Sequence, residues 1–307
     1  MTIIISAGNN DHVIQFSDRR LSNGGVILES SSNKATAFTC VDGRFSVGYT
    51  GLAKNGNFAL QAWLVDALRR CASPDFTAFG TTDRLRTELT RLFLTHPAIK
   101  GLPAATRRLT IMFSGYLIRP EGARIGNAWI TNFQDFHTFM DHPEAAPEFS
   151  TFYEWQKGEE TENLSCIQRV GAWAAMSDRD IMVLRKLLET SAPLANIIDA
   201  GIGIVRSISD RAKAGNSVGK EIAVTIIPRD CAKEISSRVF IDSGRDEIRL
   251  VDSVFAFPEH IGSFSVRDMK ISVSNPDPIS RAFQPKQGRN ERCWCKSGKK
   301  SKHCHGR

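Results

Sequence analysis

Four residues in the first fifty positions have the types and spacing of a nucleophilic site. Thr2 directly follows Met1, and a small second side chain is the setting in which an initiator methionine is commonly removed. Removal leaves a hydroxyl and an α-amine on one residue. The α-amine has a reference pKa of about 7.7–8.0, against about 10.4 for lysine, so part of it is unprotonated at neutral pH. It can take the hydroxyl proton as that oxygen attacks a carbonyl. Such a site needs a cation to keep the amine's pKa low, a carboxylate to hold the cation, and a backbone N–H for the oxyanion. Asp18 lies 16 positions after Thr2, Lys34 lies 16 after Asp18, and Gly48 lies 14 after Lys34. Glycine lets a backbone approach a ligand closely.

A second cluster closes the chain. Cys293, Cys295, Cys304 and His305 offer three thiolates and an imidazole, a full ligand set for a four-coordinate zinc ion. His303 is an alternative fourth ligand, and the residues leave that choice open. A closed ligand set points to structural rather than catalytic zinc, and a tail too short to bury a core draws its folding energy from the metal. The other cysteines, Cys40, Cys71, Cys166 and Cys231, are scattered singly, as buried small hydrophobes are.

Charge is as uneven as cysteine. The chain carries +7 in all, and Lys286 to Arg307 contains eight basic residues and one acid, which leaves 32 of each in residues 1–285. Attraction to an acidic partner therefore belongs to the last 22 residues. The 307 residues, 41% hydrophobic, are enough to bury a core without disulfides. No apolar run approaches the ~20 residues of a membrane span, and the first residues lack a signal peptide's basic lead, so the expectation is a soluble cytoplasmic protein without membrane contact.

The elements that position the first cluster are legible in outline. Residues 2–7 read as a strand covered on both faces, with 12–16 as its hairpin partner. Residues 34–41 and 44–49 read as a second hairpin turning at Asp42-Gly43. Helices are predicted over 55–71 and 82–94, the second capped at Thr82-Asp83, then strands over 108–118 and 124–133. The acidic, aromatic stretch 134–162, with Pro143 and Pro147, reads as an insertion or long loop. A strand at 165–170, helices at 178–190 and 193–213, a strand at 221–228 and further sheet over 234–273 follow. This order suggests an α+β protein with helices outside a two-sheet sandwich.

The set Thr2, Asp18, Lys34 and Gly48 resembles that of proteasome β-type subunits and of their bacterial relative HslV, which are N-terminal nucleophile (Ntn) hydrolases. Ser17-Asp18-Arg19-Arg20-Leu21-Ser22 is similar to the family's Asp-Xaa-Arg-Xaa-Thr segment. The resemblance implies a four-layer αββα sandwich. It implies a structural arginine at Arg20, a contact to substrate backbone at Ser22 and a specificity-pocket position at Ser46. The Gly-Ser-Gly that supports the nucleophile's amine in such families falls at Gly171-Ala172-Trp173, with alanine in place of serine. Their later Asp-Xaa-Xaa-Ser-Gly falls at 213–219, where Ser217 fits and Ala214 replaces the aspartate. Asp210 is a candidate substitute, and Ser177 lies too far along to replace the missing serine.

The tail resembles the SEC-C motif through Gly288-Arg289-Asn290, Cys293-Xaa-Cys295, Ser297-Gly298-Lys299-Lys300 and Cys304-His305. Lys296 stands where that motif usually has glycine. The implied role is docking to proteins or ribosomes.

Together these readings give an Ntn hydrolase domain over 2–273, a linker over 274–291 and a zinc motif over 292–307. The expected activity is threonine-type hydrolysis of an amide bond in a peptide, protein or small amide, in a homo-oligomer. The rival is a non-catalytic scaffold or adaptor recruiting protein, ribosome or RNA partners through the tail.

Overall fold

The computed structural model describes residues 2–23, 26–136, 138, 140–155, 165–211, 217–241, 246–248, 252–258, 260–264 and 271–272. The chain divides into two units, Met1–Ile271 and Ser272–Arg307. The linker expected over 274–291 and the cysteine-rich tail lie outside the described residues.

The first unit is a mixed α/β structure built mainly on two sheets. In chain order its strands begin with β1 (Ile3–Gly8), β2 (His12–Asp18), the short ribbon β3 (Leu21–Asn23) and β4 (Val26–Glu29), then β5 (Ala35–Cys40) and β6 (Gly43–Gly51). Helices α1 (Leu60–Ala72) and α2 (Ala78–Thr95) follow, then β7 (Leu109–Arg119), β8 (Gly122–Thr131), β9 (Ser150–Trp155) and β10 (Cys166–Gly171). Next come α3 (Asp178–Glu189), α4 (Leu194–Ser209), β11 (Ile222–Pro228), β12 (Ser236–Phe240), β13 (Asp246–Ile248), β14 (Asp252–Phe257) and β15 (His260–Phe264).

One sheet runs β10-β1-β2-β11-β12-β13 and ends on Ile271–Ser272. The other runs β9-β8-β7-β6-β5-β14-β15. Apolar periodicity decides what covers each face. Ile3, Ile5, Ile14, Phe16, Ile222 and Val224 pack against Leu184, Leu188, Ile197 and Val205 of α3 and α4. Phe38, Val47, Ile111 and Phe113 pack against Leu64, Leu68, Leu85 and Leu89 of α1 and α2. Ile4 and Val170 of the first sheet meet Met112 and Trp129 of the second, and Val13 and Ile227 meet Tyr116 and Ile125. Each strand of β1's kind is thus apolar on both faces, which is why the run Ile3-Ile4-Ile5 shows no alternation.

Three details differ from the sequence reading. The stretch 134–162 is not loop throughout: Ser150–Trp155 is an edge strand paired with β8, and Gln134–Asp135 pairs with Met140–Asp141. Its β-branched and aromatic run, Ser150-Thr151-Phe152-Tyr153, favours a pleated surface once past Pro147. Helix α2 begins earlier than expected, because Thr77 accepts a bond from the Gly80 N–H and caps it, while Thr82 is buried inside the helix. Residues 54–59 form a small hairpin, Lys54–Asn55 with Phe58–Ala59, ahead of α1.

Candidate functional site

Antiparallel pairing of β1 with β2 sets Ile4 opposite Ser17, so the start of β1 and the end of β2 lie side by side. This brings Thr2 to Asp18. Lys34 immediately precedes β5 of the other sheet. Its side chain reaches across, and Nζ donates to Thr2 Oγ1, to the Arg20 carbonyl and to Asp18 Oδ2, the last at 3.4 Å. Thr2 Oγ1 in turn lies 3.4 Å from the Arg20 carbonyl oxygen.

The whole cluster is withdrawn from water: Thr2 is 5% exposed, Lys34 1% and Asp18 0%. Burial pushes the Lys34 amine below the ordinary lysine value; the Asp18 charge and hydrogen bond pull the other way, and Arg19 and Arg20 push it further down. Asp18 is held by more than the lysine. It accepts from the backbone N–H groups of Ile3 at 2.8 Å, Gly219 at 3.0 Å and Arg20 at 3.2 Å. One carboxylate therefore ties together the start of β1, the end of β2, the loop before β11 and the lysine.

The segment 171–173, where alanine stands in place of the expected serine, meets Thr2 through its backbone. The Ala172 N–H donates to the Thr2 carbonyl at 2.8 Å, and Thr50 Oγ1 donates to the same oxygen at 3.4 Å. Gly171 has φ +87°, and a Cβ there would sit 1.9 Å from the Thr2 carbonyl oxygen, so only glycine lets the chain pass. Asp210 does not join the site: it caps the end of α4 and pairs with Lys220 at 3.0 Å. Ser177 caps α3, its hydroxyl and the Asp180 carboxylate forming a capping box.

Gly48 lies on β6, opposite Ala35, on the face where Ile4 and Gln15 pack; a Cβ on it would meet Gln15 Oε1 at 2.8 Å. Ser46, two residues earlier on the same face, has no exposed surface, and its hydroxyl donates to Gln15 Oε1 at 2.8 Å. Ser22 is half-buried on β3 and pairs with Ile27 of β4. The deeply buried arginine of the Asp18 segment is Arg19, which pairs with Glu221 at 3.2 Å, whereas Arg20 lends its backbone to the site.

Residue types did not reveal the Arg20 carbonyl, the Gly219 N–H or the Ala172 N–H, because a backbone group has no signature of its own. The glycines at 171 and 219 were the available signal.

A cavity of about 620 Å³ lies at the other end of the β1–β2 hairpin, lined by His12, Arg119, Arg229, Asp230 and Lys233 among others. Arg44, nearly buried, braces its rim by donating to the Asp230 carbonyl at 3.2 Å and the Lys233 carbonyl at 2.7 Å. Among the described residues no group of three or more His, Cys, Asp or Glu side chains is placed to hold a metal, and no helix is long and apolar enough to cross a membrane.

Comparison with known proteins gives two findings. A family model described as the SEC-C motif matches residues 289–307. Among solved structures, the chain is similar to Anbu (ancestral beta-subunit) from Yersinia bercovieri, with 15% identity and a TM-score of 0.46 over 74% of this chain and 82% of that one.

Proposed function

We propose that this protein is a threonine-type hydrolase of amide bonds on a four-layer αββα, proteasome β-like framework. The observation that carries the reading is the buried contact of Lys34 Nζ with Thr2 Oγ1, backed by Asp18. In its neutral form Lys34 keeps two N–H bonds, to Asp18 and to the Arg20 carbonyl, and turns its lone pair to the Thr2 hydroxyl. The Thr2 oxygen attacks the substrate carbonyl carbon while its proton passes to Lys34 or to the α-amine freed by removal of Met1. The oxyanion takes a hydrogen bond from the Gly48 N–H. Collapse breaks the C–N bond, the amine leaves with the proton, and water then hydrolyses the threonine ester. Ser22 contacts the backbone of an extended peptide, protein or small amide substrate, and Ser46 acts through the strand it shares with Gly48.

In the same reading the domain spans 2–273, with a linker over 274–291, and assembles with copies of itself. The tail from 292 holds a structural zinc ion through Cys293, Cys295, Cys304 and His305. Three thiolates and an imidazole suit tetrahedral zinc, which supplies folding energy to a segment without a core. The folded tail then docks to a protein or ribosome in the cytoplasm.

A non-catalytic scaffold draws on Ala172, which brings no hydroxyl to the nucleophile's amine. Turnover of a fluorogenic peptide-amide panel separates the two. The hydrolase reading expects activity in the wild-type chain and a loss on the order of 10²–10⁴-fold in both Thr2→Ala and Lys34→Met. Equal rates in all three chains would favour the scaffold.

A further inference from the structure

Asp252 opens β14, the strand that the last part of the domain adds beside β5. The pairing is parallel and in register, Asp252 with Thr36. The carboxylate is 7% exposed, and its Oδ2 accepts two amide donors, Gln61 Nε2 at 2.5 Å and Asn33 Nδ2 at 3.3 Å. Asn33 through its oxygen and Gln61 through its NH2 also reach the start of β5, while Gln61 Oε1 has no partner among the described residues. Asn33 Oδ1 accepts from the Ala35 N–H at 3.2 Å, and the second hydrogen of Gln61 Nε2 is shared between Thr36 Oγ1 at 3.0 Å and the Ala35 carbonyl at 3.3 Å. The Asn33 carbonyl is itself held by the Tyr49 hydroxyl at 3.1 Å.

Asn33 and Ala35 flank Lys34, and Ala35 is the residue paired with Gly48. A carboxylate accepting from both amides fixes which way each one faces, since only N–H ends are drawn to it. The lysine's backbone is therefore clamped on both sides by a residue 218 positions further along the chain. We propose that Asp252 is a positioning residue for Lys34: through Asn33 and Gln61 it fixes where the lysine's main chain enters the site. The contact between Lys34 and Thr2 stands without the hydrolase reading. The catalytic consequence rests on that reading.

The test uses the full chain labelled with [ε-¹³C]lysine, with the Lys34 cross-peak assigned by its loss in Lys34→Arg. Asp252→Ala should move or broaden that cross-peak while the protein stays folded. Asp252→Asn should leave it in place, because the asparagine oxygen still accepts both amides. Asn33→Ala, which breaks the same bridge without touching the carboxylate, should reproduce the displacement, and it decides the matter if Asp252→Ala does not fold. In parallel, a threonine-directed electrophile should modify Thr2 about 10–100-fold more slowly in Asp252→Ala, and within about threefold of wild type in Asp252→Asn. An unmoved Lys34 cross-peak in folded Asp252→Ala or Asn33→Ala overturns the proposal. If the wild-type chain forms no adduct, the hydrolase reading falls, and the cross-peak alone decides the role of Asp252.

Discussion

Lys34 Nζ donates a hydrogen bond to Thr2 Oγ1 although the two residues stand 32 positions apart and lead into strands of different sheets. The relationship exists because both sheets end at the same place. Thr2 precedes β1, Lys34 precedes β5, and Asp18 at the end of β2 accepts from both the lysine and the backbone of β1.

Asp18 accepts three backbone N–H groups and the lysine from a fully buried position. Asp18→Ala leaves Lys34 without its counter-charge and three amides without their acceptor. The expected loss is about 3–5 kcal/mol in unfolding free energy, read by urea titration. A loss under about 1 kcal/mol would mean that water replaces the carboxylate there.

The Lys34 amine is held below its reference value of 10.5, chiefly by burial. The unfolded chain therefore carries the extra proton between the folded-state value and 10.5. Stability from this group is complete above 10.5 and is lost as pH falls through the folded-state value. Hydrolysis should follow the same direction, falling as the base is protonated. Urea midpoints across pH in wild type and Lys34→Met check this: the variant should lack the slope.

Gly171 takes φ +87° with the Thr2 carbonyl where a side chain would be. Gly171→Ala should cost at least about 2 kcal/mol and slow modification of Thr2, because the strand carrying the hydroxyl has to move. Denaturation together with adduct formation measures both effects, and unchanged values would show that the backbone there relaxes freely.

The tail should hold about one zinc ion per chain, as a closed four-ligand site does. Cys293→Ser combined with Cys295→Ser should lose that zinc while the main domain keeps its urea midpoint. Metal analysis and denaturation of the same samples test the two halves of the statement.

Much of the site could be read from side chains alone. Thr2, Asp18 and Lys34 announce themselves because a hydroxyl, a carboxylate and an amine occur at strand ends whose apolar runs are plain, and the structure brings those three together. Gly48 lies on a neighbouring strand, and Ser46 is sealed against Gln15, a contact between sheets that local spacing does not specify. The strand at 150–155 was hidden by the prolines and acids before it. Asp252 was hidden for a different reason. Its partners Asn33 and Gln61 are distant in sequence, and only the parallel addition of β14 beside β5 brings them within reach. The SEC-C match was the reverse case, where a compact spacing of cysteines and histidine carries the reading without any fold.

Intact-mass spectrometry of the purified chain, before and after exposure to a threonine-directed electrophile, tests the nucleophile most directly. The expected result is a polypeptide beginning at Thr2 that gains a single adduct, mapped to that residue and absent from Thr2→Ala. A chain that retains Met1 and gains no mass, or an adduct that persists in Thr2→Ala, would contradict it.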